Sequence, residues 1–269
     1  MFKDITIGQY VDGNSAIHKM DPRVKILLSI VYIIILFVIH SFKAYALFGI
    51  FTVVLVLLSG VPFKYIIKGL KPMLYILIFT AVINLFMTGG NTVLWRSALW
   101  SSLKITKEGA LAAAQMLLRL VFLVTGTSLL TLTTTPIMLT DGIEQLLKPF
   151  EIIKVPSHEI AMMMTIAIRF IPTLSEETEK IMKAQMARGA DFESGNIFRR
   201  TKAMVPILVP LFISAFKRAD DLAIAMDSRC YNSPNKRTRM KQMKMTRIDA
   251  LAAAVMLAFC IAVTVIQRF

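Results

Sequence analysis

Residues 26–39 read ILLSIVYIIILFVI, an almost unbroken apolar run that decides the class of this protein. The run is shorter than the roughly 20 residues with which a helix crosses a bilayer core. Lys25 before it and Lys43 beyond it extend the usable length, because long basic side chains place their ammonium groups at the interface. The run therefore predicts a first membrane-spanning helix.

Other apolar segments repeat this pattern along the chain. They cover residues 44–58, 72–87, 110–132 and 250–266. Hydrophobic residues make up 56% of the 269 residues, above the roughly 45–50% of a soluble protein, and the mean hydropathy is +0.64. The sequence predicts an all-α, polytopic membrane protein with about five transmembrane helices. This composition excludes intrinsic disorder and disfavours an ordinary soluble enzyme.

The charge distribution predicts how the chain is oriented. The net charge is +14, from 31 Lys and Arg against 17 Asp and Glu, and 17 of the 31 basic residues fall between residues 133 and 245. Cytoplasmic segments of membrane proteins carry such an excess. We expect a membrane bundle of four spans over residues 1–132, a cytoplasmic insertion over 133–245 and a transmembrane helix over 246–269. The N-terminus lacks the features of a signal peptide and is expected in the cytoplasm.

The insertion contains about three long helical patterns. The first is predicted to begin at Asp141, which forms a capping-box pattern with Glu144. The second runs from Ser157 to Arg188, with a solvated acidic and basic stretch over residues 176–183 that offers pairs four residues apart. The third runs over residues 202–228. A basic run then precedes the last span and is expected to contact anionic lipid. That run consists of Lys236, Arg237, Arg239, Lys241, Lys244 and Arg247.

The last two helices of the insertion end in similar ways. Each ends with an arginine between small or compact residues, and the two arginines lie 41 positions apart. These candidate site residues are Ala187, Arg188 and Gly189 at one end, and Ser228, Arg229 and Cys230 at the other. A guanidinium group pairs with a carboxylate through a planar fork of donors, and small neighbours leave it accessible. The alternative is an ordinary helix C-terminus, where arginine and glycine are favoured anyway.

Several motifs together resemble the transmembrane T component of energy-coupling-factor transporters, which are ABC-type importers of vitamins and trace metals. The matching stretches are Gly8-Gln9-Tyr10, Gly13-Asn14-Ser15, Asp21-Pro22-Arg23, Arg169-Phe170-Ile171-Pro172-Thr173-Leu174, and residues 182–192 around Ala187-Arg188-Gly189. The second arginine motif of this family is usually Ala-Arg-Gly, and here it is Ser228-Arg229-Cys230. The resemblance covers essentially the whole chain.

The resemblance implies a non-catalytic scaffold. Two cytoplasmic ATPase subunits would each hold one arginine-bearing helix end against acidic side chains, and ATP binding would draw the ATPases together and move the helix ends. The long coupling helices would pass this motion to a vitamin-binding S component in the membrane. No cofactor would be bound by this chain, and ATP with Mg²⁺ would lie in the partner ATPases. The residues agree, because the sequence has no G-x-x-x-x-G-K-[ST] phosphate loop.

Two further questions remain open, the role of Arg119 and an alternative function for the chain. Arg119 lies inside the fourth span, where a charge is by default a functional candidate, although it could also extend to a polar face. A membrane-anchored adaptor, binding anionic lipid or an acidic protein without a transport cycle, is the alternative function. No metal site, catalytic constellation or nucleic-acid recognition motif is apparent in the sequence.

Overall fold

The computed structural model describes residues 10–87, 93–96, 104–153, 156–192, 196–231, 243 and 245–268. The described residues form ten α-helices and one short antiparallel ribbon of two strands, which confirms the predicted all-α class. The helices are α1 (Ala16–Lys19), α2 (Pro22–Val38), α3 (Phe42–Ser59), α4 (Phe63–Leu70), α5 (Leu74–Met87), α6 (Lys107–Thr133), α7 (Pro136–Leu147), α8 (Ser157–Ala187), α9 (Ile197–Asp227) and α10 (Arg247–Arg268). The strands are β1 (Val93–Arg96) and β2 (Lys104–Thr106).

The chain divides into two compact units, which we describe separately. The bundle unit consists of described residues within 8–143 and 243–269, and the helix-pair unit consists of those within 144–242. The basic run was predicted to contact anionic lipid, and five of its six residues lie outside the described residues, namely Lys236, Arg237, Arg239, Lys241 and Lys244. Arg247, the last of that run, begins α10.

The bundle unit contains the predicted membrane spans. Among the described residues, four helical segments are long and apolar enough to cross a membrane. They are Phe42–Ser59, Phe63–Phe86, Lys107–Thr133 and Arg247–Gln267. Helix α2 has 17 residues, the lower limit of about 17–25 for a spanning helix. With α2 included, these segments agree with the predicted number of about five.

The span predicted over residues 72–87 begins earlier than the sequence indicated. A 3₁₀ turn, Lys71–Met73, joins α4 directly to α5, so one continuous helical segment starts at Phe63. Pro72 lies in this 3₁₀ turn, so the α-helical hydrogen-bond pattern changes at the residue that has no N–H to donate. Lys64 and Lys68, two basic residues that precede the predicted span, lie on α4.

Aromatic packing forms the core of the bundle unit. Phe48 and Leu36 are fully buried, and the rings of Phe51 and Phe259 stack at 3.9 Å between centroids. Tyr32 reaches into the same core and donates its hydroxyl to the Phe122 carbonyl at 3.0 Å. Helix α6 can approach this ring because residue 126 is glycine, and a β-carbon there would overlap the ring. The aromatic residues thereby fasten α2, α3, α6 and α10 to one another.

One buried carboxylate joins the starts of α2 and α10. Asp249 accepts hydrogen bonds from the backbone N–H and the hydroxyl of Thr246, at 2.7 and 2.8 Å. Thr246 directly precedes α10 and Asp249 is its third residue, so this is the bond of a capping box in which a side chain in the first turn reaches back to the N-cap. The other oxygen of Asp249 accepts the backbone N–H of Asp21 at 2.8 Å. Asp249 therefore stabilises the start of α10 and also contacts the start of α2.

Asp21 caps α2 while it is held by a neighbouring arginine. Burial raises the pKa of the Asp21 carboxyl, but hydrogen bonds from the Arg23 side chain and backbone, together with the Arg23 charge, outweigh this effect. The pKa of Asp21 therefore lies below its ordinary value. The ion pair joins Arg23 Nη2 to Asp21 Oδ2 at 2.8 Å. A charged carboxylate at the N-terminus of α2 also complements the helix dipole.

Lys25 points into the protein rather than toward the membrane interface. Its ammonium group donates to the carbonyls of His18 and Thr133, at 3.2 and 2.9 Å, and to the Thr134 hydroxyl at 3.1 Å. The residue is 6% exposed. Thr133 ends α6, where backbone carbonyls lack partners within the helix and attract a cation. The prediction that Lys25 extends the first span is therefore wrong for this side chain.

Helix α7 begins five residues before the predicted start at Asp141. Pro136 occupies its first position, and the Thr135 hydroxyl accepts the backbone N–H of Met138 at 3.3 Å. A threonine cap followed by proline is a strong helix start, because proline needs no hydrogen-bond acceptor in the first turn. Asp141 therefore lies inside the helix. With 12 residues, α7 is also much shorter than the 31-residue helices α8 and α9.

Candidate functional site

Helices α8 and α9 form an antiparallel pair within the helix-pair unit. The short connection between Ala187 and Ile197 places the end of α8 near the start of α9. At the other end of the pair, the Tyr231 hydroxyl, which follows α9, donates to Met162 Sδ near the start of α8 at 2.7 Å. The two predicted arginine-bearing ends therefore lie at opposite ends of the pair.

The end of α8 has a closed backbone geometry. Gly189 adopts a positive φ of 85°, and its N–H donates to the Met186 carbonyl at 2.9 Å. The N–H of Ala190 reaches back to the Gln185 carbonyl at 3.0 Å. These two bonds define a Schellman motif, in which the residue with positive φ is usually glycine. Arg188 is the last residue before this turn, and Ala187 is the last residue of the helix.

The end of α9 repeats this motif in the same register. The N–H of Cys230 donates to the Asp227 carbonyl at 2.8 Å, and that of Tyr231 donates to the Met226 carbonyl at 3.1 Å. Cys230 takes the place of Gly189 with a φ of 54°, the one positive φ at a non-glycine position in the described chain. Arg229 therefore occupies the position that Arg188 occupies in the first motif.

The similar ends leave both arginine side chains available. Arg188, Arg229 and the small residues Ala187, Gly189, Ser228 and Cys230 are all exposed. Neither guanidinium makes a hydrogen bond or ion pair within the part of the chain that the structure describes. A favourable helix dipole explains a cation at each end. The helix dipole does not explain why the two ends share one geometry and why both guanidinium groups are exposed. Such exposed guanidinium groups are suited to pairing with a carboxylate of another protein.

Cys230→Gly is expected to strengthen the end of α9 by roughly 0.5–1 kcal/mol, because a side chain at positive φ is strained and glycine is not. The measurement is amide hydrogen exchange at residues 230 and 231, which should slow. Cys230→Ala is the matched control, since it removes the thiol and keeps the β-carbon. Equal protection in the two variants would show that strain at Cys230 is not the cause.

Arg119 lies at the middle of α6 in the bundle unit and has local partners. Its Nε donates to the Tyr45 hydroxyl at 3.0 Å, and its Nη2 donates to the Ile39 carbonyl at 3.1 Å. The guanidinium carbon also lies 5.7 Å from the centre of the Phe37 ring, within range of a cation–π contact. Arg119 thus neutralises the C-terminal end of α2.

Two glutamines complete this arrangement, and no local sequence pattern indicates either of them. Gln115, one turn before Arg119 on α6, donates to the His40 carbonyl at 2.8 Å, and Gln267 near the end of α10 donates to the Val38 carbonyl at 3.0 Å. Three consecutive carbonyls at the end of α2 are therefore satisfied by side chains of other helices. This arrangement supports a structural role for Arg119, and its candidate role as an intramembrane functional charge stays a prediction.

Helix α9 exposes a large apolar surface. Six large apolar side chains recur at helical spacing over about three turns of α9, and each is at least two-fifths exposed. They are Val205, Leu208, Val209, Phe212, Ile213 and Phe216. Exposed apolar patches of this kind mark contact with lipid or with another protein. Among the described residues, no group of three or more His, Cys, Asp or Glu side chains could hold a metal ion.

Comparisons with known proteins agree on one class. A family model described as cobalt transport protein, CbiQ, matches residues 13–242. The chain is 61% identical over 254 residues to the energy-coupling factor transporter transmembrane protein EcfT of Clostridium kluyveri, covering 94% of this chain and 93% of the relative. A protein of the same name from Thermosediminibacter oceani is 55% identical, and the match covers 99% of each chain. The protein of that name from Bacillus subtilis is 47% identical, and the match covers 93% of each chain.

Proposed function

Since this chain belongs to the family of energy-coupling factor transporter transmembrane proteins, we propose that it couples two cytoplasmic ATPase subunits to a substrate-binding membrane subunit. The chain itself catalyses no reaction in this scheme. ATP and Mg²⁺ bind to the partner ATPases, and this chain transmits their movement. The imported compound is a vitamin or a trace metal, selected by the substrate-binding subunit.

The observation that carries the proposal is the pair of matched, exposed arginine ends on α8 and α9. At 1.5 Å per helical residue, the ends are separated by up to roughly 35 Å along the antiparallel pair. One small acidic groove cannot hold both guanidinium groups over this distance. Two equivalent grooves, one in each of two similar subunits, suit two ends that share the same Schellman geometry.

The apolar surface of α9 supports the second partner. Side chains such as Phe212 and Phe216 are 60% and 67% exposed, which is unfavourable in contact with water. A substrate-binding subunit embedded in the membrane offers a matching apolar surface. Because this surface and both arginine ends belong to α8 and α9, a movement of the ends is passed directly to the bound subunit.

The proposed orientation places the helix-pair unit in the cytoplasm of a bacterial cell and the bundle unit in the plasma membrane. The excess of basic residues between positions 133 and 245 supports this orientation. It is also the orientation in which both arginine ends reach soluble ATPases.

Purification of the tagged chain in mild detergent tests the proposal. We expect two ATP-binding subunits and one small apolar membrane protein to be recovered with it, together with ATPase activity. Recovery of the chain without any ATPase, combined with salt-sensitive binding to anionic vesicles, would instead support the membrane-anchored adaptor.

A further inference from the structure

A single carboxylate joins the middle of α8 to the middle of α9. Glu177 Oε1 accepts the Ser214 hydroxyl at 2.6 Å, and Glu177 Oε2 accepts Arg218 Nη2 at 2.8 Å. Ser214 and Arg218 are four residues apart, so they lie on the same face of α9 in successive turns. We call Glu177, Ser214 and Arg218 the Glu177 fork. The sequence assigned this acidic stretch to solvated pairs within α8, whereas Glu177 pairs with the other helix.

The Glu177 fork restricts how the two helices move against each other. Apolar side chains tolerate small sliding and rotation, because their attraction has little directionality. Hydrogen bonds weaken steeply when distance or angle changes. A shift of α9 by one residue, about 1.5 Å, would break the geometry of both bonds at once. The fork therefore fixes the position at which the helices cross.

The fork contributes little to stability, which separates its role from that of a core contact. The Glu177 and Arg218 side chains are 24% and 41% exposed. Ion pairs with this exposure are weak, because water screens the charges and both side chains lose conformational freedom. A bond that is directional but weak is suited to holding alignment between two helices that must stay packed while they move.

The fork is also equally distant from the two arginine ends. Eleven residues separate Glu177 from Arg188 on α8, and eleven separate Arg218 from Arg229 on α9. Each arm is about 16 Å long, and the arms extend in opposite directions because the helices are antiparallel. Equal displacements of the two ends therefore produce a rotation at the fork without net sliding.

We propose that the Glu177 fork is the fulcrum of the helix pair, and that Glu177, Ser214 and Arg218 are positioning residues for energy coupling. This inference rests on the proposed function. With the fork intact, movement of the arginine ends becomes rotation of α8 against α9. Without it, part of the movement is lost as sliding, so ATP is hydrolysed with less import.

The test compares Glu177→Ala with the matched control Glu176→Ala in the reconstituted complex. Glu176 is the exposed neighbour and makes no hydrogen bond or ion pair to a described residue. Glu177→Ala should retain both ATPases and most ATP hydrolysis, and should lower substrate imported per ATP about fivefold, the lower end of typical coupling effects. The double variant Glu177→Arg with Arg218→Glu should recover part of the loss. Unchanged import per ATP in Glu177→Ala overturns the inference.

A second measurement does not depend on any partner. Spin labels at residues 180 and 221, both exposed, report the distance between the arms in the purified full chain. Glu177→Ala should broaden this distance distribution, and Glu176→Ala should leave it narrow. The milder variant Glu177→Gln serves if Glu177→Ala does not fold. An unchanged distance distribution in Glu177→Ala overturns the role of the fork as a fulcrum, because this measurement needs no partner. If the unmodified chain is purified without ATPases, that result contradicts only the proposed function.

Discussion

The double variant Arg188→Glu and Arg229→Glu is expected to lose the two ATPase subunits that we propose as its partners. Removing one partner of a buried ion pair costs about 2–5 kcal/mol, which weakens binding roughly 30-fold or more at each end. Charge reversal adds repulsion from the acidic side chains that the proposed grooves present. Because the guanidinium groups make no hydrogen bond or ion pair with described residues, the fold should remain intact.

The measurement is the amount of ATPase recovered with each variant in mild detergent, at several salt concentrations. The matched control is Lys180→Glu with Lys217→Glu, which applies the same charge change at two exposed positions that lie about two turns or more before Arg188 and Arg229. Each single arginine variant should weaken one ATPase contact and spare the other. Undiminished ATPase recovery with the double arginine variant would contradict the assignment of these ends as docking sites.

Asp249→Ala is expected to produce the largest loss of stability in the bundle unit. It removes three hydrogen bonds and leaves the buried N–H of Asp21 without its acceptor. Loss of a helix cap costs about 0.5–2 kcal/mol, and an unsatisfied buried donor costs about 1–3 kcal/mol. The sum is about 1.5–5 kcal/mol, which corresponds to a fall of roughly 3–20 °C in Tm.

Thermal unfolding in detergent measures this effect. Asp220→Ala is the matched control, because Asp220 is exposed and has no hydrogen bond or ion pair to a described residue. Asp249→Asn should fall between the two, since the amide oxygen still accepts one of the backbone N–H groups. Equal Tm values for Asp249→Ala and Asp220→Ala would show that Asp249 does not fasten α2 to α10.

The sequence predicted features that depend on neighbouring residues. Apolar runs predicted the spans, because the length of a helix and the thickness of a bilayer set the same limit. The arginine ends of α8 and α9 were recognisable because a Schellman turn leaves a local pattern, arginine followed by a small residue. The start of α7 was misplaced because two local signals competed, and Thr135 with Pro136 outweighs the pattern of Asp141 with Glu144.

Features that depend on distant residues could not be predicted in this way. Asp249 and Asp21 are separated by 228 positions, and Arg119 and Tyr45 by 74. No spacing rule links such pairs, since only the packed bundle brings them together. Glu177 illustrates the same limit, because nothing in its own helix distinguishes it from Glu176 until α9 lies alongside.

The thiol of Cys230 gives this chain a natural attachment point for a reporter. It is exposed beside Arg229, whereas Cys260, the other cysteine, is only partly accessible within the bundle unit. A maleimide dye would therefore react preferentially at the tip of α9. Its fluorescence would follow association with a soluble subunit in real time, without any engineered residue.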